Sequence, residues 1–391
     1  MKIFIQIASY RDPELVKTIK SAIDNAKKPE NLVFSIARQF HPDDKFDDLS
    51  EYTGDVRFKV LDIPYQDSKG ACWARNQIQQ QYTNEKYTLQ IDSHMRFAPN
   101  WDDEMIKMIK QLQKKGHKKP TIMLNSKPLD KLLYLDIETI PGWQNLTEPV
   151  TSRFYSAHFC FTLGQFAKEV QHDPDYYFHG EEISIAARAY THGYDLFHPH
   201  KTLIWHEYTR KGRTKQWDDD KKWVERNSFC HKKNRALFGM DDEPPMDHGK
   251  YGFGKVRTLR DYEKYSGLLF SRRAVQQETI DKKYPPNTYN YTSEEEWMDS
   301  FASIFKHCID IGYSQVPEND YDFWAVAFHD ENDETVFRKD ADPSEVQRMK
   351  NDPDGYCKVW REFQTTKKPK YWVVWPHSES KGWGQRITGN L

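Results

Sequence analysis

The strongest constraint on the fold is the alternation of short apolar runs with helix-like segments through roughly the first 120 residues. Four apolar runs have the length of strands: Lys2–Ser9, Leu32–Ala37, Val56–Ile63 and Tyr87–Ile91. Helical periodicity follows Asp12-Pro13, where aspartate suits the N-cap and proline the first turn, and it recurs over Gly70–Tyr82 and after Asn100. This order predicts βαβ units, and therefore an α/β, Rossmann-like, mostly parallel sheet with flanking helices.

The later segments extend this pattern with longer connections. We expect a helix from Glu181–Glu182, a strand over Thr202–Trp205 and one long charged helix from Asp218 to Phe238. Stretches rich in Pro, Asp and Asn mark candidate boundaries: Asp241–Pro245 and Tyr284–Asn290. The sequence thus predicts an α/β domain at residues 1–245, a helical linker at 246–290 and a C-terminal module at 291–391.

The last hundred residues or so are typical of a small α+β module. Two hairpins are expected: Tyr321–His329 with Glu334–Arg338, and Lys358–Gln364 with Tyr371–Trp375. A short helix should begin at Asp342-Pro343 between them. Trp324 and Trp372 have apolar neighbours, as buried strand residues do, whereas Trp383 lies in loop-like sequence and is the better candidate for ligand contact.

Composition argues against several classes of protein. The five cysteines are scattered and form no CxxC pair, which disfavours a disulfide framework or a structural zinc site. No stretch approaches 18 apolar residues, and the N-terminal apolar run is too short for a signal sequence, so we expect no membrane span and a cytoplasmic location. A formal charge of −2 favours neither presence nor absence of a nucleic-acid partner.

The triplet Asp92-Ser93-His94 is the sequence feature with the clearest chemistry. It follows a buried strand, and side chains two residues apart on a strand point in the same direction. Asp92 and His94 can therefore present an oxygen and an imidazole nitrogen to one metal ion at the carboxyl edge of the sheet, where open α/β sheets bind ligands. Mixed carboxylate and imidazole ligands suit Mn²⁺, with Mg²⁺ as the alternative.

Several strings resemble glycosyltransferases of the GT-A fold. These are Ile5–Glu14, Gly70 with Ala74-Arg75, Leu89–Phe97 with Trp101-Asp102, Phe178–Glu182, and Tyr251–Gly254 with Tyr265–Gly267. They are most similar to the family of cytoplasmic hydroxyproline N-acetylglucosaminyltransferases, and more distantly similar to polypeptide N-acetylgalactosaminyltransferases of the Asp-x-His type. The resemblance covers roughly residues 1–270 and implies a Mn²⁺-dependent enzyme with a UDP-sugar donor, UDP-GlcNAc first.

The resemblance also implies roles for individual residues. The nucleotide would lie against Ala8, Ser9, Tyr10, Arg11, Asp67, Arg75 and Ser93. A third metal ligand is expected from a later strand: His206 is favoured because it ends Leu203-Ile204-Trp205, with His198 and His200 as alternatives. Glu181 and Glu182 would face the donor sugar and the acceptor hydroxyl, as the catalytic carboxylates.

The sequence is compatible with alternatives for both the stereochemical outcome and the class of protein. Transfer with retention is favoured by the resemblance, but a polysaccharide transferase that inverts, with Glu181 or Glu182 as base, also fits. A 2-His-1-carboxylate iron oxygenase fits the ligand types, although the βα alternation and the Asp-x-His order argue against it. A non-catalytic carbohydrate-binding protein is a third class. The acceptor, a protein hydroxyl, a glycan or a modified nucleic acid, is not specified, and residues 291–391 are the expected acceptor-binding part.

Overall fold

A computed structural model of the chain describes residues 1–123, 143–207, 213–351 and 355–391, and the backbone of two short strands between 127 and 136. The chain forms two compact units. The first comprises Met1–Ser266 and Lys282–Asn287, and the second comprises Gly267–Asp281 and Thr288–Leu391. The roles expected for residues 1–245, 246–290 and 291–391 stay predictions.

The first unit is built on a mixed but mostly parallel sheet. The strands of this unit are β1 (Ile3–Tyr10), β2 (Leu32–Phe40), β3 (Phe58–Pro64), β4 (Tyr87–Asp92), β5 (Met95–Phe97), β6 (Pro120–Met123), β7 (Lys127–Leu129), β8 (Tyr134–Asp136), β9 (Val150–Thr151), β10 (Phe159–Leu163), β11 (Asp195–His198) and β12 (Ile204–His206). The sheet order is β3-β2-β1-β4-β10-β6-β11-β9. Strands β3, β2, β1 and β4 are parallel, and β10 runs antiparallel between β4 and β6.

Helices cover both faces of this sheet. They are α1 (Leu15–Asp24), α2 (Ala71–Gln79), α3 (Trp101–Lys114), α4 (Phe166–Glu169), α5 (Glu181–Thr191), α6 (Gln216–Asp219), α7 (Trp223–Phe238) and α8 (Leu259–Ser266). On β1, Ile5 faces the core that contains Leu15 and Trp101, whereas its neighbour Phe4 faces the opposite core with Ile78. Among the described residues, no helix has the length and apolar character needed to cross a membrane.

The predicted fold class is confirmed, but two local predictions are wrong. The single helix expected over Asp218–Phe238 is two helices, α6 and α7. The side chain of Asp220 accepts a hydrogen bond from the backbone N–H of Lys222 at 2.9 Å, a local turn that competes with helical bonding between them. Asp12 does not occupy the N-cap of α1 either; Glu14 does.

The second unit is a pair of sheets packed around one core. The elements are β13 (Leu268–Leu269), β14 (Ala274–Gln276), β15 (Phe301–Gly312), β16 (Tyr321–His329), β17 (Thr335–Arg338), β18 (Tyr356–Thr365), β19 (Tyr371–Ser378), β20 (Gly382–Trp383) and β21 (Ile387–Asn390), with α9 (Gln277–Ile280), α10 (Glu294–Asp299) and α11 (Pro343–Lys350). One sheet has the order β13-β14-β15-β18, and the other has the order β17-β16-β19, with β20 and β21 both on β19. Ile309 and Val359 of the first sheet meet Trp324 and Val374 of the second.

The first predicted hairpin is confirmed and the second is wrong. Strands β16 and β17 pair as expected. Strands β18 and β19 do not pair: β18 joins β15 and β19 joins β16, so the two strands lie in opposite sheets of the same core. Trp324 is fully buried, and Trp372 is partly buried against this core, as predicted. Asp342 caps α11 by accepting the N–H of Glu345 at 2.9 Å.

We predict that Gly164→Ala destabilises the protein. Gly164 directly follows β10, and an added Cβ would lie 1.8 Å from the backbone oxygen of Glu85, where no side-chain movement can relieve the clash. The free energy of unfolding, measured in urea, should fall by about 1–3 kcal/mol. Gly252→Ala is the matched control, because its Cβ would be 3.5 Å from the nearest atom. Equal stability of the two variants would contradict the prediction.

Candidate functional site

The structure brings Asp92, His94 and His206 together at the carboxyl end of β4. Asp92 ends β4, and the pairing of β12 with β5 places His206 opposite Met95, beside His94. One ligand atom from each residue lies within 4.8 Å of the others. The Asp92 Oδ2 atom is 3.3 Å from His206 Nε2 and 3.7 Å from His94 Nε2. Of the three candidate histidines, His206 is therefore the one beside the Asp-x-His pair.

Asp12 fixes the orientation of the His94 ring. His94 Nδ1 donates a hydrogen bond to Asp12 Oδ2 at 2.7 Å, which leaves Nε2 directed towards Asp92. Ser93 Oγ and Arg213 Nη1 donate to the same carboxylate oxygen, at 2.7 and 3.3 Å. A carboxylate behind a ligand histidine holds its tautomer and raises its basicity. The sequence around Asp12 predicts a helix cap and gives no signal for this role.

Arg75 joins Asp92 to Glu181. Its guanidinium donates to Asp92 Oδ1 at 2.9 Å and to Glu181 Oε1 at 2.7 Å, and it is 5% exposed. Burial raises the pKa of Glu181, but Arg75 and His172 outweigh that effect and bring it to about 2. Burial also raises the pKa of Asp92, but His206 and Arg75 outweigh that effect and hold this pKa well below its usual value. Both carboxylates are therefore ionised at neutral pH.

Glu182 has the opposite electrostatic environment. Its Oε1 atom accepts the backbone N–H of Ala157 at 2.7 Å, next to the segment that enters β10. Burial raises the pKa of Glu182 to about 8, and the nearby Glu181 charge adds to this effect. Of the two predicted catalytic carboxylates, Glu182 thus has a pKa near that of an effective general acid or base, while Glu181 is a weak base held by Arg75.

A cleft adjoins the cluster and contains part of the predicted nucleotide site. The predicted residues that line it are Ala8, Tyr10, Arg75, Asp92, Ser93 and His94. Ser9 is buried, and Asp67 lies exposed at the end of the 3₁₀ turn Tyr65–Asp67. Sequence reasoning missed Gln39, Tyr177 and the segment 213–217, which also line the cleft. These positions have no motif of their own, and only the fold brings them to the β1 and β4 strand ends.

Arg11 is held in ion pairs beside this cleft. Its guanidinium donates to Asp44 Oδ2 at 2.8 Å and to Asp219 Oδ2 at 3.0 Å. The Tyr10 hydroxyl donates to the same Asp219 oxygen at 2.6 Å. The expected contact of Arg11 with the nucleotide stays a prediction, and in this structure its charge is balanced by two aspartates.

The ligand set of the cluster fits a divalent transition metal. Two imidazole nitrogens and one carboxylate oxygen suit Mn²⁺ or a similar ion better than Ca²⁺, which prefers more oxygen ligands. The Asp92 oxygen that faces the histidines is not the one that accepts from Arg75, so a cation and the guanidinium can share this carboxylate. The three residues are therefore suited to hold such an ion beside the cleft.

The sequence identifies the family to which this chain belongs. The profile of the family described as Glycosyltransferase (GlcNAc) matches residues 2–54, 48–130 and 118–272. These segments include β1, β4, His206 and both predicted catalytic carboxylates. The chain is a member of this glycosyltransferase family. Comparison with curated proteins finds no match.

Three solved structures illustrate the likeness of this chain to known proteins. The crystal structure of GalNAc-T7 with UDP, GalNAc and Mn²⁺ is 14% identical, with a TM-score of 0.47, and the match covers 67% of this chain and 54% of that one. The crystal structure of S. aureus TarS 1-349 is 11% identical, with a TM-score of 0.41 and coverage of 62% and 77%. The mannosyltransferase PcManGT from Pyrobaculum calidifontis, in complex with GDP-Man and Mn²⁺, is 10% identical, with a TM-score of 0.38 and coverage of 60% and 61%. This chain spans about half the length of the GalNAc-T7 structure, and the family assignment rests on the sequence profile.

We predict that Glu182→Gln changes how stability depends on pH. The pKa of Glu182 is raised in the folded protein to about 8, so its neutral form stabilises the fold fully below about pH 4.5, and this contribution is lost as the pH rises through 8. Glutamine mimics the neutral carboxyl and does not ionise. In urea unfolding with EDTA, wild type should lose stability between about pH 5 and pH 9, and the variant should lose less.

The control for this experiment is Glu225→Gln, which changes an exposed glutamate on α7. It should keep the wild-type dependence on pH. Parallel stability curves for wild type and Glu182→Gln would show that Glu182 keeps an ordinary pKa in the folded protein.

Proposed function

We propose that this protein is a metal-dependent glycosyltransferase that moves a sugar from a UDP-sugar to a hydroxyl group on a protein or glycan. The observation that carries the proposal is the Asp92–His94–His206 cluster beside a cleft at the carboxyl ends of the parallel strands β1 and β4. Membership in the Glycosyltransferase (GlcNAc) family supports N-acetylglucosamine as the first choice of sugar. The resemblance to hydroxyproline N-acetylglucosaminyltransferases favours a protein hydroxyl as acceptor.

Each residue of the site has a separate task in this proposal. Asp92, His94 and His206 would hold Mn²⁺ or Mg²⁺, Asp12 would keep the His94 ring oriented, and Arg75 would fix the Asp92 carboxylate. A divalent ion bound there neutralises negative charge that develops on a departing diphosphate. Ala8, Tyr10 and Ser93 would form the part of the cleft that contacts the nucleotide.

We propose transfer with retention of configuration, which is the outcome that the family resemblance favours. The alternative, inversion, requires a carboxylate base on the side of the sugar opposite the leaving group. Glu182 is the residue with a suitable pKa for that role, and Glu181 is not, because its ion pair with Arg75 makes it a weak base. The anomeric configuration of the product, measured by NMR, decides between the two outcomes.

We predict that His206→Ala lowers Mn²⁺-dependent release of UDP from UDP-GlcNAc by roughly 100-fold or more, because it removes one of three metal ligands. His200→Ala is the matched control: it changes a nearby histidine on the same segment that is not part of the cluster. Asp92→Ala and His94→Ala should behave like His206→Ala. Wild-type activity in His206→Ala, or loss only in His200→Ala, would overturn this choice of third ligand.

We predict that the nucleotide is uridine-specific. Isothermal titration with Mn²⁺ present should show that UDP binds at least about tenfold more tightly than GDP or CDP, which corresponds to about 1.4 kcal/mol. The same titration with EDTA should show weaker UDP binding, because the diphosphate loses its cation. Tighter binding of GDP than UDP would contradict a UDP-sugar donor and leave the metal site itself untouched.

A further inference from the structure

Four aromatic rings form one cluster on the second unit. The Trp383 ring lies 4.5 Å from Trp375, 5.0 Å from His377 and 5.4 Å from Phe323, measured between ring centroids. Trp375 is 38% exposed and Trp383 is 47% exposed. We call these residues the aromatic platform. Large exposed rings that contact one another are unusual on a soluble surface and mark candidate binding sites.

The platform lies on the outer face of the sheet formed by β16, β19 and β20. Side chains alternate between faces along a strand, and Trp324 and Val374 point into the core of this unit. Their neighbours Phe323 and Trp375 therefore point away from the core. The strand register places Phe323 opposite His377 and His377 opposite Trp383, so the rings meet across three strands.

The position of the platform is fixed by the backbone. Trp375 Nε1 donates a hydrogen bond to the backbone oxygen of Gly384 at 3.0 Å, which holds the indole in place while it stays exposed. Two short side chains continue the same face along β16: Ala325 lies opposite Trp375, and Ala327 lies opposite Val373. The aromatic rings therefore lie next to a part of the sheet that is covered only by small side chains. A surface held in place in this way loses little entropy when it binds a ligand.

The edge of the platform carries hydrogen-bonding side chains. Asp322 Oδ1 accepts a hydrogen bond from His377 Nδ1 at 2.7 Å. Farther along the same sheet, Arg338 forms an ion pair with Asp340 at 2.8 Å. Cross-strand pairing with Ala327 places Arg338 on the outer face. Aromatic rings beside a carboxylate acceptor complement a neutral ligand that carries both apolar faces and hydroxyl groups.

We propose that the aromatic platform is a binding site for a neutral oligosaccharide of β-linked pyranose units. The C–H face of such a sugar stacks on an indole ring, and its hydroxyl groups can bond to the Asp322 carboxylate at the edge. A single-stranded nucleic acid also stacks on aromatic rings, but its backbone requires a positively charged groove, whereas the Asp322 carboxylate at this edge repels phosphate. This site is separate from the proposed transfer reaction and does not depend on it.

Binding is tested on the full-length chain with EDTA and without a nucleotide sugar, so that the metal site plays no part. The probes are β-1,4-linked tetrasaccharides of glucose and of N-acetylglucosamine, titrated by calorimetry and by tryptophan fluorescence. We expect wild type to bind at least one of them. Trp383→Ala and Trp375→Ala should each weaken binding by about tenfold, which corresponds to about 1.4 kcal/mol.

Trp360→Ala is the matched control, because Trp360 is 66% exposed on β18, in the other sheet of this unit. It should bind as wild type does. Trp383→Phe, which keeps a flat ring and its packing, should retain more affinity than Trp383→Ala, so a folding defect in the alanine variant does not decide the result. Circular dichroism confirms the fold of each variant.

Three results would overturn the proposal. The first is no binding of either tetrasaccharide to wild type at millimolar concentration. The second is equal weakening in Trp360→Ala and Trp383→Ala. The third is a concentration-dependent dimer that Trp383→Ala dissociates while no tetrasaccharide binds, which would assign the platform to a second copy of the chain. None of these results bears on Mn²⁺-dependent UDP release, so failure here leaves the proposed transferase function standing.

Discussion

The buried guanidinium of Arg75 is the interaction on which the candidate site depends. It is shared by Asp92 at the end of β4 and Glu181 at the start of α5, two carboxylates that would otherwise repel each other. An ion pair of this kind contributes little net stability when complete, yet removal of one partner costs about 3–5 kcal/mol, because a buried charge is left without compensation. Arg75 therefore ties helix α2 to a strand and to a second helix, and it holds the Asp92 carboxylate of the Asp92–His94–His206 cluster in place.

Three neighbouring carboxylates differ in protonation state according to whether they contact Arg75. Asp92 and Glu181 contact Arg75 and are ionised. Glu182 instead accepts a backbone N–H from Ala157, so burial controls its pKa. Adjacent acidic residues in the sequence thus have opposite character in the fold. Environments that push the pKa values of neighbouring acids apart are a common basis for assigning separate roles at one site.

The parts of the fold and site that could be predicted from sequence are those with a local signal. Asp92 and His94 were found because a buried strand ends at this point, and His206 because it too ends a strand. The role of Asp12 could not be predicted, because an aspartate before a proline is the usual sequence of a helix cap. Its partner His94 lies far along the chain, so no local pattern links the two residues. The pairing of β18 with β15 was missed for the same reason. Strand partners in a two-sheet core are chosen by packing, and proximity in sequence favoured β19.

The connectivity of the two units has a consequence for how the molecule can be divided. The chain passes between them after Ser266, after Asp281 and after Asn287. Strand β14 pairs with β15, and the segment Lys282–Asn287 that separates them in sequence belongs to the first unit. A chain shortened after residue 290 would therefore leave β14 paired with β13 alone, with the backbone groups of its other edge exposed. The second unit is therefore made of two separate chain segments and is not a tail joined by one linker. Proteolysis at a single site would not release it as an intact piece.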